Sequence, residues 1–390
     1  MTSEAKAAKS PGTMSAEQAR EERAYATGIQ AALWGRPLVL YLKTLHAGLT
    51  AGAVGMNYYR KYSELKTAKD KFVNTPNNVS IDAYGAAELR AEPLVIKVPP
   101  TEGDRWYIVQ VSDYFDEIVY NIGGSKGPEP GLFLITCPDY HGPIPAGMKE
   151  IKVRTQLAAF ANRIFVNGEK DLPPAVAVQQ EFHTLPLSVF QQKGLKYEAA
   201  TKPDPSAYEF KPSGPESLRA FEEIGFAMKR FLSTSDDYAD PMVASLRQIG
   251  LSVARGFEPE ILAEATKRGL ARAAVTAEAI IEDAYANSAE IVNGWRYTMA
   301  GGRAGYDLAL RAAFASNLTG ANVPEEIIYP NTRVDDKNNP LDGANKYVLH
   351  FDKGQIPRVS VFWNLACMTT RSFSSRTTSD VTASAAPPTG

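Results

Sequence analysis

Residues 81–135 constrain the fold of this chain most, because apolar and polar residues alternate there with the two-residue period of a β-strand. In the run Arg105–Asp113, odd-numbered and even-numbered residues fall on opposite faces of a strand. The run Pro93–Pro99 is apolar and β-branched, and a Pro-Pro turn lies between the two runs. The stretch therefore predicts neighbouring strands of one sheet.

Strand signals continue beyond this stretch in Gly131–Thr136, Ile151–Arg154 and Ala158–Val166. Turn residues separate them, and an Asn167-Gly168 turn follows the last one. Short strands in close succession indicate a β-sandwich rather than alternating βαβ units.

Helical patterns precede the strands. A cap at Ser15 predicts a helix to about Trp34, Gly35-Arg36-Pro37 predicts a break, and a second helix follows to about Thr50. Residues 56–75 indicate an exposed connector.

Helical patterns also follow the strands, and two further strands are expected near the C-terminus. The predicted helices are Leu172–Phe182, Pro215–Leu232, Asp240–Leu251, Ala263–Asn287 and 305–317. The predicted strands are Tyr347–Phe351 and Val359–Trp363.

Composition narrows the class of protein. The 390 residues are 44% hydrophobic and 22% charged with a net charge of −2, which is ordinary for a globular chain and gives no electrostatic footprint for nucleic acid. The two cysteines cannot make a disulfide framework, and no apolar run is long enough to span a membrane. No secretory signal pattern is visible, so we expect a soluble, cytoplasmic protein.

Two ordered sets of residues resemble known families. The first set is Tyr84, Leu89, Glu92-Pro93, Val98-Pro99, Arg105-Trp106-Tyr107, Asp113-Tyr114 and Gly123. It resembles the bacterial and fungal family catalogued as domain of unknown function 1254. The second set is Gly301–Asp307, Arg311-Ala312-Ala313, Tyr329, Leu341-Asp342-Gly343, Tyr347, His350-Phe351, Pro357 and Phe362-Trp363. It resembles that family's usual partner, domain of unknown function 1214.

The resemblance implies a mainly β fold with a helical module. It implies no established activity, and it leaves open whether related proteins are exported from the cell. The implied units are an immunoglobulin-like β-sandwich (76–170), a helical module and linker (171–290) and a jelly-roll-like β-sandwich (291–366). The residue pattern adds a disordered tail (1–15) and N-terminal helices (16–75) before them, and an aberrant tail (367–390) after them.

The aberrant tail departs from the family pattern after Ala366. Family members continue with a strand and end in Arg-Tyr-Ser-Ile/Val-Gly, whereas residues 367–390 are rich in Ser, Thr, Ala and Pro and indicate disorder. One back-translation of this tail, with codons chosen for the comparison and read from its third base, encodes a peptide containing Arg-Tyr-Ser-Val-Gly. We therefore predict a frameshift by a single-base loss near codon 367, which removes a closing strand and exposes a sheet edge.

The first polar cluster of interest is Arg105, Tyr107 and Asp113, which share one strand face. An extended strand places Arg105 about 27 Å from Asp113, so each is expected to meet a neighbouring strand or loop instead. Two interpretations stay open: a polar network at the sandwich rim, or a ligand carboxylate held by Arg105 among tyrosine hydroxyls. Tyr84 and Tyr114 are further ligand-binding candidates.

The second cluster is Arg303, Tyr306, Asp307 and Arg311. Asp307 and Arg311 lie four residues apart, which predicts an ion pair on one helix face, and Arg303 can share the carboxylate. The cluster either docks the helix on the sandwich or makes Asp307 a general base or ligand anchor. Flanking cations suit an anchor better than a base near pH 7. Tyr329 is another ligand-binding candidate.

Motifs for other chemistry are missing from the sequence. The four histidines, His46, His141, His183 and His350, lie far apart, and no nucleotide-binding or nucleophile-elbow motif occurs. We therefore predict no metal and no cofactor, and a metal site assembled across domains stays open.

Two functions stay open, and whether the chain is an enzyme is undecided. The first is binding or conversion of a small anionic or hydroxylated molecule in a cleft between the domains, with Asp113 and Asp307 as catalytic candidates. The second is a non-catalytic binding or assembly module with structural polar clusters. Convergence of the two clusters on one cavity favours the first. Formation of a homo-oligomer stays open, and no nucleic-acid partner is predicted.

Overall fold

Two open β-sheets lie at the centre of the chain. The computed structural model describes residues 14–67, 69–70, 77–101, 103, 105–195 and 203–367. The strands of the two sheets are β1 (Gly55–Met56), β2 (Arg60–Lys61), β3 (Ser80–Glu88), β4 (Leu94–Val98), β5 (Tyr107–Asp113), β6 (Ile118–Gly123), β7 (Gly131–Thr136), β8 (Met148–Lys152), β9 (Leu157–Phe165) and β10 (His183–Pro186).

The strands pair in two sheets that share one hydrophobic core. The six-stranded sheet has the order β1-β3-β9-β5-β6, with β2 beside β3, and the four-stranded sheet has the order β10-β4-β7-β8. Tyr107, Val109 and Val111 of β5 are buried in the same core as Leu94 and Ile96 of β4. The alternation predicted for β5 is therefore confirmed, and its even-numbered residues lie on the outer face of the six-stranded sheet.

The chain contains more helical residues than strand residues. They are α1 (Ala16–Thr50), α2 (Leu172–Gln180), α3 (Leu187–Lys193), α4 (Arg219–Phe231), α5 (Asp236–Ala239), α6 (Pro241–Leu246), α7 (Glu264–Asn287) and α8 (Leu308–Asn317). Helix accounts for 38% and strand for 20%, so the fold is mixed α/β: the predicted combination of sheets and helices is confirmed, but helix rather than strand predominates.

Helix α1 is continuous, and the predicted break at Gly35-Arg36-Pro37 is absent. The Ser15 hydroxyl accepts from the Gln18 amide at 3.1 Å, which confirms the predicted cap. Gly35 contacts Ile224 of α4 so closely that a Cβ there would lie 2.7 Å from that side chain. The helix persists through Pro37 because packing of its buried face outweighs the lost hydrogen bond.

The connector predicted at residues 56–75 is partly incorporated into the sheet. Strands β1 and β2 both pair with β3, and Met56 and Tyr59 are buried. Residues 68 and 71–76 lie outside the described part of the chain.

The C-terminal third differs most from expectation. Two small hairpins, β11 (Leu251–Ser252) with β12 (Gly256–Phe257) and β13 (Glu290–Val292) with β14 (Trp295–Tyr297), are followed by α8. Across the described residues 298–367 no strand forms, so the strands predicted at Tyr347–Phe351 and Val359–Trp363 are absent. Residues 347–350 are exposed, and no strand in the described part of the chain supplies the ladder that a jelly roll requires. The tails 1–13 and 368–390 lie outside the described residues.

Candidate functional site

Arg105 lies away from Asp113, as expected from the strand length, and forms a bidentate pair with Asp171. Its two terminal nitrogens donate to Asp171 Oδ2 at 2.9 Å and Oδ1 at 2.6 Å, and Nη1 also reaches the Phe165 carbonyl at 3.2 Å. The Arg105 guanidinium holds the pKa of Asp171 below its usual range. This arginine therefore already has a carboxylate partner within the chain.

Asp113 lies at the start of the turn between β5 and β6 and is fully buried. Its Oδ2 accepts from Arg154 Nε at 2.7 Å, and its Oδ1 accepts from the backbone amides of Phe115 and Glu117 at 2.9 and 3.3 Å. Both carboxylate oxygens are engaged, so this arrangement holds the turn in place.

Arg311 reaches the same turn from α8. Its Nε lies 3.4 Å from Glu117 Oε1, an ionic contact in which Nε–H has no aligned acceptor, and its Nη2 donates to the Gly305 carbonyl. Burial raises the pKa of Glu117, and burial together with nearby Arg154 lowers the pKa of Arg311. One member of each predicted cluster, Asp113 and Arg311, thus meets at the β5–β6 turn.

The other members of the second cluster do not join them. Asp307 caps α8, its Oδ1 accepting from the Leu310 amide at 2.9 Å, and it forms no ion pair with Arg303 or Arg311. Arg303 pairs with Glu325 at 3.0 Å in solvent, and Tyr306 is 97% exposed. The predicted Asp307–Arg311 ion pair is wrong because Glu117 attracts the arginine off the helix surface. The catalytic roles of Asp113 and Asp307 stay predictions.

Two tyrosine candidates are core residues. Tyr107 packs between the sheets with its hydroxyl accepting from the Glu129 amide at 2.7 Å. Tyr114 is buried between Tyr41 and Phe231, and burial raises its pKa well above the usual value. Neither hydroxyl reaches a surface where a ligand could bind.

The remaining candidates, Tyr84 and Tyr329, lie near an arginine that the sequence did not single out. Arg163 is on β9, directly opposite Asp82 of β3, on the outer face of the six-stranded sheet. We call Asp82, Tyr84, Gln110, Arg163 and Tyr329 the Arg163 site. Arg163, Tyr84 and Ala161 are partly exposed, whereas Ala159 of the same strand packs against the helical core.

Hydrogen bonds in the Arg163 site leave its guanidinium largely without acceptors. Arg163 Nη1 donates to Gln110 Oε1 at 2.9 Å, and Arg163 forms no ion pair with any carboxylate in the described chain. Asp82 accepts instead from Ser80 Oγ at 3.0 Å and from the Tyr84 hydroxyl at 2.7 Å. A guanidinium carries five N–H donors, so most of its binding capacity is unused here.

Electrostatics keep Arg163 charged. Burial alone would lower the pKa of Arg163, but Tyr84, Asp82 and Tyr329 raise it above its ordinary value. The Tyr329 hydroxyl accepts from the Asn322 amide at 3.3 Å, and its own hydrogen has no acceptor in the described part of the chain. The site thus combines a cation and a hydroxyl donor, which is suited to an anionic oxygen.

The segment after α8 covers one side of the Arg163 site and connects it to the β5–β6 turn. Gln110 Nε2 donates to the Gly320 carbonyl at 2.9 Å, and the Gly320 amide donates to Asp116 Oδ1 at 2.8 Å. Asn121 of β6 donates to Asn322 at 2.9 Å nearby. The outer face of the sheet is therefore in contact with residues 320–329.

Asp116 is the most perturbed acid of this region. It is buried with a left-handed φ of 63°, and the Tyr41 hydroxyl donates to its Oδ1 at 2.8 Å. Burial raises its pKa to about 7, although the bonds from Gly320 and Tyr41 oppose this.

Two further properties concern metals and membranes. No three histidine, cysteine or carboxylate side chains of the described residues come together as ligands for a metal ion. None of the helices in the described ranges is both long and apolar enough to cross a bilayer.

Comparisons with known proteins match two regions of the chain to families without an assigned activity. Residues 56–186 match the family described as Protein of unknown function (DUF1254), and residues 326–386 match Protein of unknown function (DUF1214). The resemblance read from the sequence is confirmed: the chain carries a DUF1254 region followed by a DUF1214 region. The second match ends at residue 386, so the family pattern extends beyond Ala366, where we expected it to stop.

A solved structure shares the fold. The VPA0106 protein from Vibrio parahaemolyticus is 19% identical, with a TM-score of 0.55 over 75% of this chain. The chain spans 66% of the length of that protein. No curated protein matches the chain.

Sequence reasoning missed Arg163, Gln110, Arg154, Asp116 and Glu117. A signal existed for Arg163, because it is the charged residue on a strand face otherwise lined by Ala159 and Ala161. The partners of Asp113 and Arg311 carried no local signal, since they come from other strands.

Proposed function

We propose that this chain binds a small anionic molecule on the outer face of its six-stranded sheet, with Arg163 as the anchor. The observation that carries the proposal is that Arg163 is charged, partly buried and without a carboxylate partner in the described chain. Asp82 stabilises this cation without a direct ion pair, and a ligand anion in contact with the guanidinium would supply the charge-assisted hydrogen bonds that it lacks. Asp113 and Asp307 are each engaged elsewhere, so the proposal is limited to binding.

The Tyr329 hydroxyl supports the same function. Arg163 offers N–H donors, and Tyr329, which is close enough to affect the pKa of Arg163, offers an O–H donor, while Tyr84 uses its hydroxyl hydrogen on Asp82. The Asp82–Tyr84 bond holds the tyrosine ring in place beside the arginine. We infer that Arg163 and Tyr329 contact the ligand directly, and that Asp82 positions Tyr84.

A thermal-shift and titration-calorimetry screen of the full chain with acetate, glutarate and inorganic phosphate tests the proposal. A ligand that binds the native state raises the melting temperature by mass action. We expect Arg163→Gln to remove the shift, and Arg105→Gln to lower stability without removing it, because Arg105 serves Asp171. Equal shifts in the unmodified chain and Arg163→Gln would overturn the proposal.

An assembly role is the second candidate, and a specific segment favours it. Tyr347, Val348 and Leu349 are exposed by 46%, 92% and 41% in a segment without strand partners among the described residues. Exposed apolar, β-prone residues are typical of contact surfaces. Sedimentation at several concentrations tests this role: self-association that Val348→Asp abolishes supports it, and a monomer throughout excludes self-assembly.

The fold details implied by the family are proposals as well. We infer that the two sheets with a shared core correspond to the immunoglobulin-like sandwich, which their facing apolar residues support.

A further inference from the structure

A second cation, Lys66, borders the Arg163 site beside Tyr84. Lys66 Nζ lies 3.8 Å from the ring centroid of Tyr62 and 5.6 Å from that of Tyr84. The two rings contact each other edge to face with centroids 6.0 Å apart. Lys66 is partly exposed, so its ammonium is held at a fixed place on an aromatic surface that solvent reaches.

Lys66 has no carboxylate partner within the described chain. Lys66 affects the pKa of Asp70, which is lowered mainly by hydrogen bonds from the Thr67 amide and hydroxyl and to a smaller extent by Lys66. Asp70 Oδ2 accepts from the Thr67 amide at 2.7 Å and from its hydroxyl at 3.0 Å, and it forms no ion pair with Lys66. The ammonium is therefore available to an external anion.

The strand register fixes how the two cations are arranged. Arg163 is opposite Asp82, and Tyr84 is the next residue of β3 on the same face, so Arg163 and Tyr84 are diagonal neighbours. Diagonal neighbours on a sheet lie about 7–8 Å apart at their Cα atoms. Lys66 Nζ lies 5.6 Å from the centroid of the same Tyr84 ring, so both cationic groups border this tyrosine and are on the order of 10 Å apart.

We propose that the ligand is a small molecule with two anionic groups, such as a short dicarboxylate, that contacts both Arg163 and Lys66. This inference rests on the proposed function, since Arg163 holds the first anionic group. Arg163 provides a planar fork suited to a carboxylate, whereas Lys66 provides a point charge that accepts several geometries. Lys66 thus determines selectivity for a second charge, and Arg163 determines whether an anion binds at all.

Matched ligands and matched variants of the full chain test this selectivity. The ligands are glutarate and its monoamide, which have nearly the same shape and differ by one negative charge. The variants are Lys66→Met, which removes the charge, and Lys66→Arg, which keeps it. Lys126→Met is the control, because Lys126 Nζ also lies over a tyrosine ring, 4.8 Å from the centroid of Tyr120, but outside the Arg163 site.

By calorimetry at low ionic strength, we expect glutarate to bind the unmodified chain about fivefold more tightly than the monoamide. The preference is expected to disappear in Lys66→Met and to persist in Lys66→Arg and Lys126→Met. Equal affinity for both ligands in the unmodified chain, or a preference that survives Lys66→Met, would overturn the inference alone. Failure of both ligands to bind would overturn the proposed function together with it.

Discussion

The Gly320 amide donates to Asp116 Oδ1 over 2.8 Å and so ties the segment after α8 to the turn between β5 and β6. The Gly320 carbonyl accepts from Gln110, which in turn holds Arg163. One glycine thus connects the acid with the most perturbed pKa of this region to the proposed anion anchor. A change in the charge of Asp116 is expected to affect how firmly residues 320–329 rest on the sheet.

Asp116→Asn is predicted to change the pH dependence of stability. The pKa of Asp116 is about 7 in the folded chain against 3.8 ordinarily, so the folded chain retains a proton that the unfolded chain releases. The resulting stabilisation is complete below about pH 3.8 and is lost as the pH rises through about 7, a total of at most about 4 kcal/mol.

The asparagine variant does not titrate, keeps an oxygen for Tyr41 and Gly320, and tolerates the left-handed backbone. Urea unfolding at pH 4 and pH 8 is therefore expected to show Asp116→Asn gaining stability relative to the unmodified chain by about 1–3 kcal/mol at the higher pH. The same difference at both pH values would contradict the assignment.

Arg311→Met is predicted to destabilise the chain by about 3 kcal/mol, because it leaves Glu117 without its buried cation. Adding Glu117→Gln is expected to recover part of the loss, which a double-mutant cycle by urea unfolding measures. Arg303→Met is the matched control: its pair with Glu325 is more than half exposed at both residues, so the expected change is within about 0.5 kcal/mol. Additive losses for Arg311 and Glu117 would exclude a direct coupling.

Asp307→Ala is predicted to cost about 1 kcal/mol through loss of the α8 cap, with no change in ligand affinity. Asp307→Asn is expected to retain most of the stability, since asparagine caps helices as well as aspartate does. Thermal melting and calorimetry of both variants check this. A loss of binding in both variants at unchanged stability would restore Asp307 as a ligand anchor.

Local sequence patterns predicted individual helices and strands, whereas the side-chain partners on neighbouring strands could not be predicted from them. The alternation of β5 and the Ala-rich composition of α7 predicted their structure because each depends on neighbours a few residues away. Arg105 pairs with Asp171, 66 residues further on, and Arg163 meets Asp82 only because β9 lies between β3 and β5. Such neighbours depend on strand order, which alternation does not encode.

Helix α1 and the C-terminal segment both show where prediction from local sequence patterns fails. Pro37 and Gly35 are local helix breakers, yet packing against Ile224 keeps the helix intact. Val359–Trp363 has a strand-like sequence, yet no partner strand is present among the described residues. Tertiary contacts override local preference in both places.

The last prediction concerns residues 367–390. Tyr347–Phe351 has a strand-like sequence without a partner strand among the described residues, which is the result expected if a closing strand is missing. The family match to residue 386 argues against a frameshift, and resequencing the gene decides between them: a single base lost near codon 367 supports the frameshift, and an intact frame there excludes it. In the frame-restored chain, amides of residues 347–351 are expected to exchange with solvent at least about tenfold more slowly, because ladder pairing protects them. Unchanged exchange in that chain would show that the restored ending does not pair with this segment.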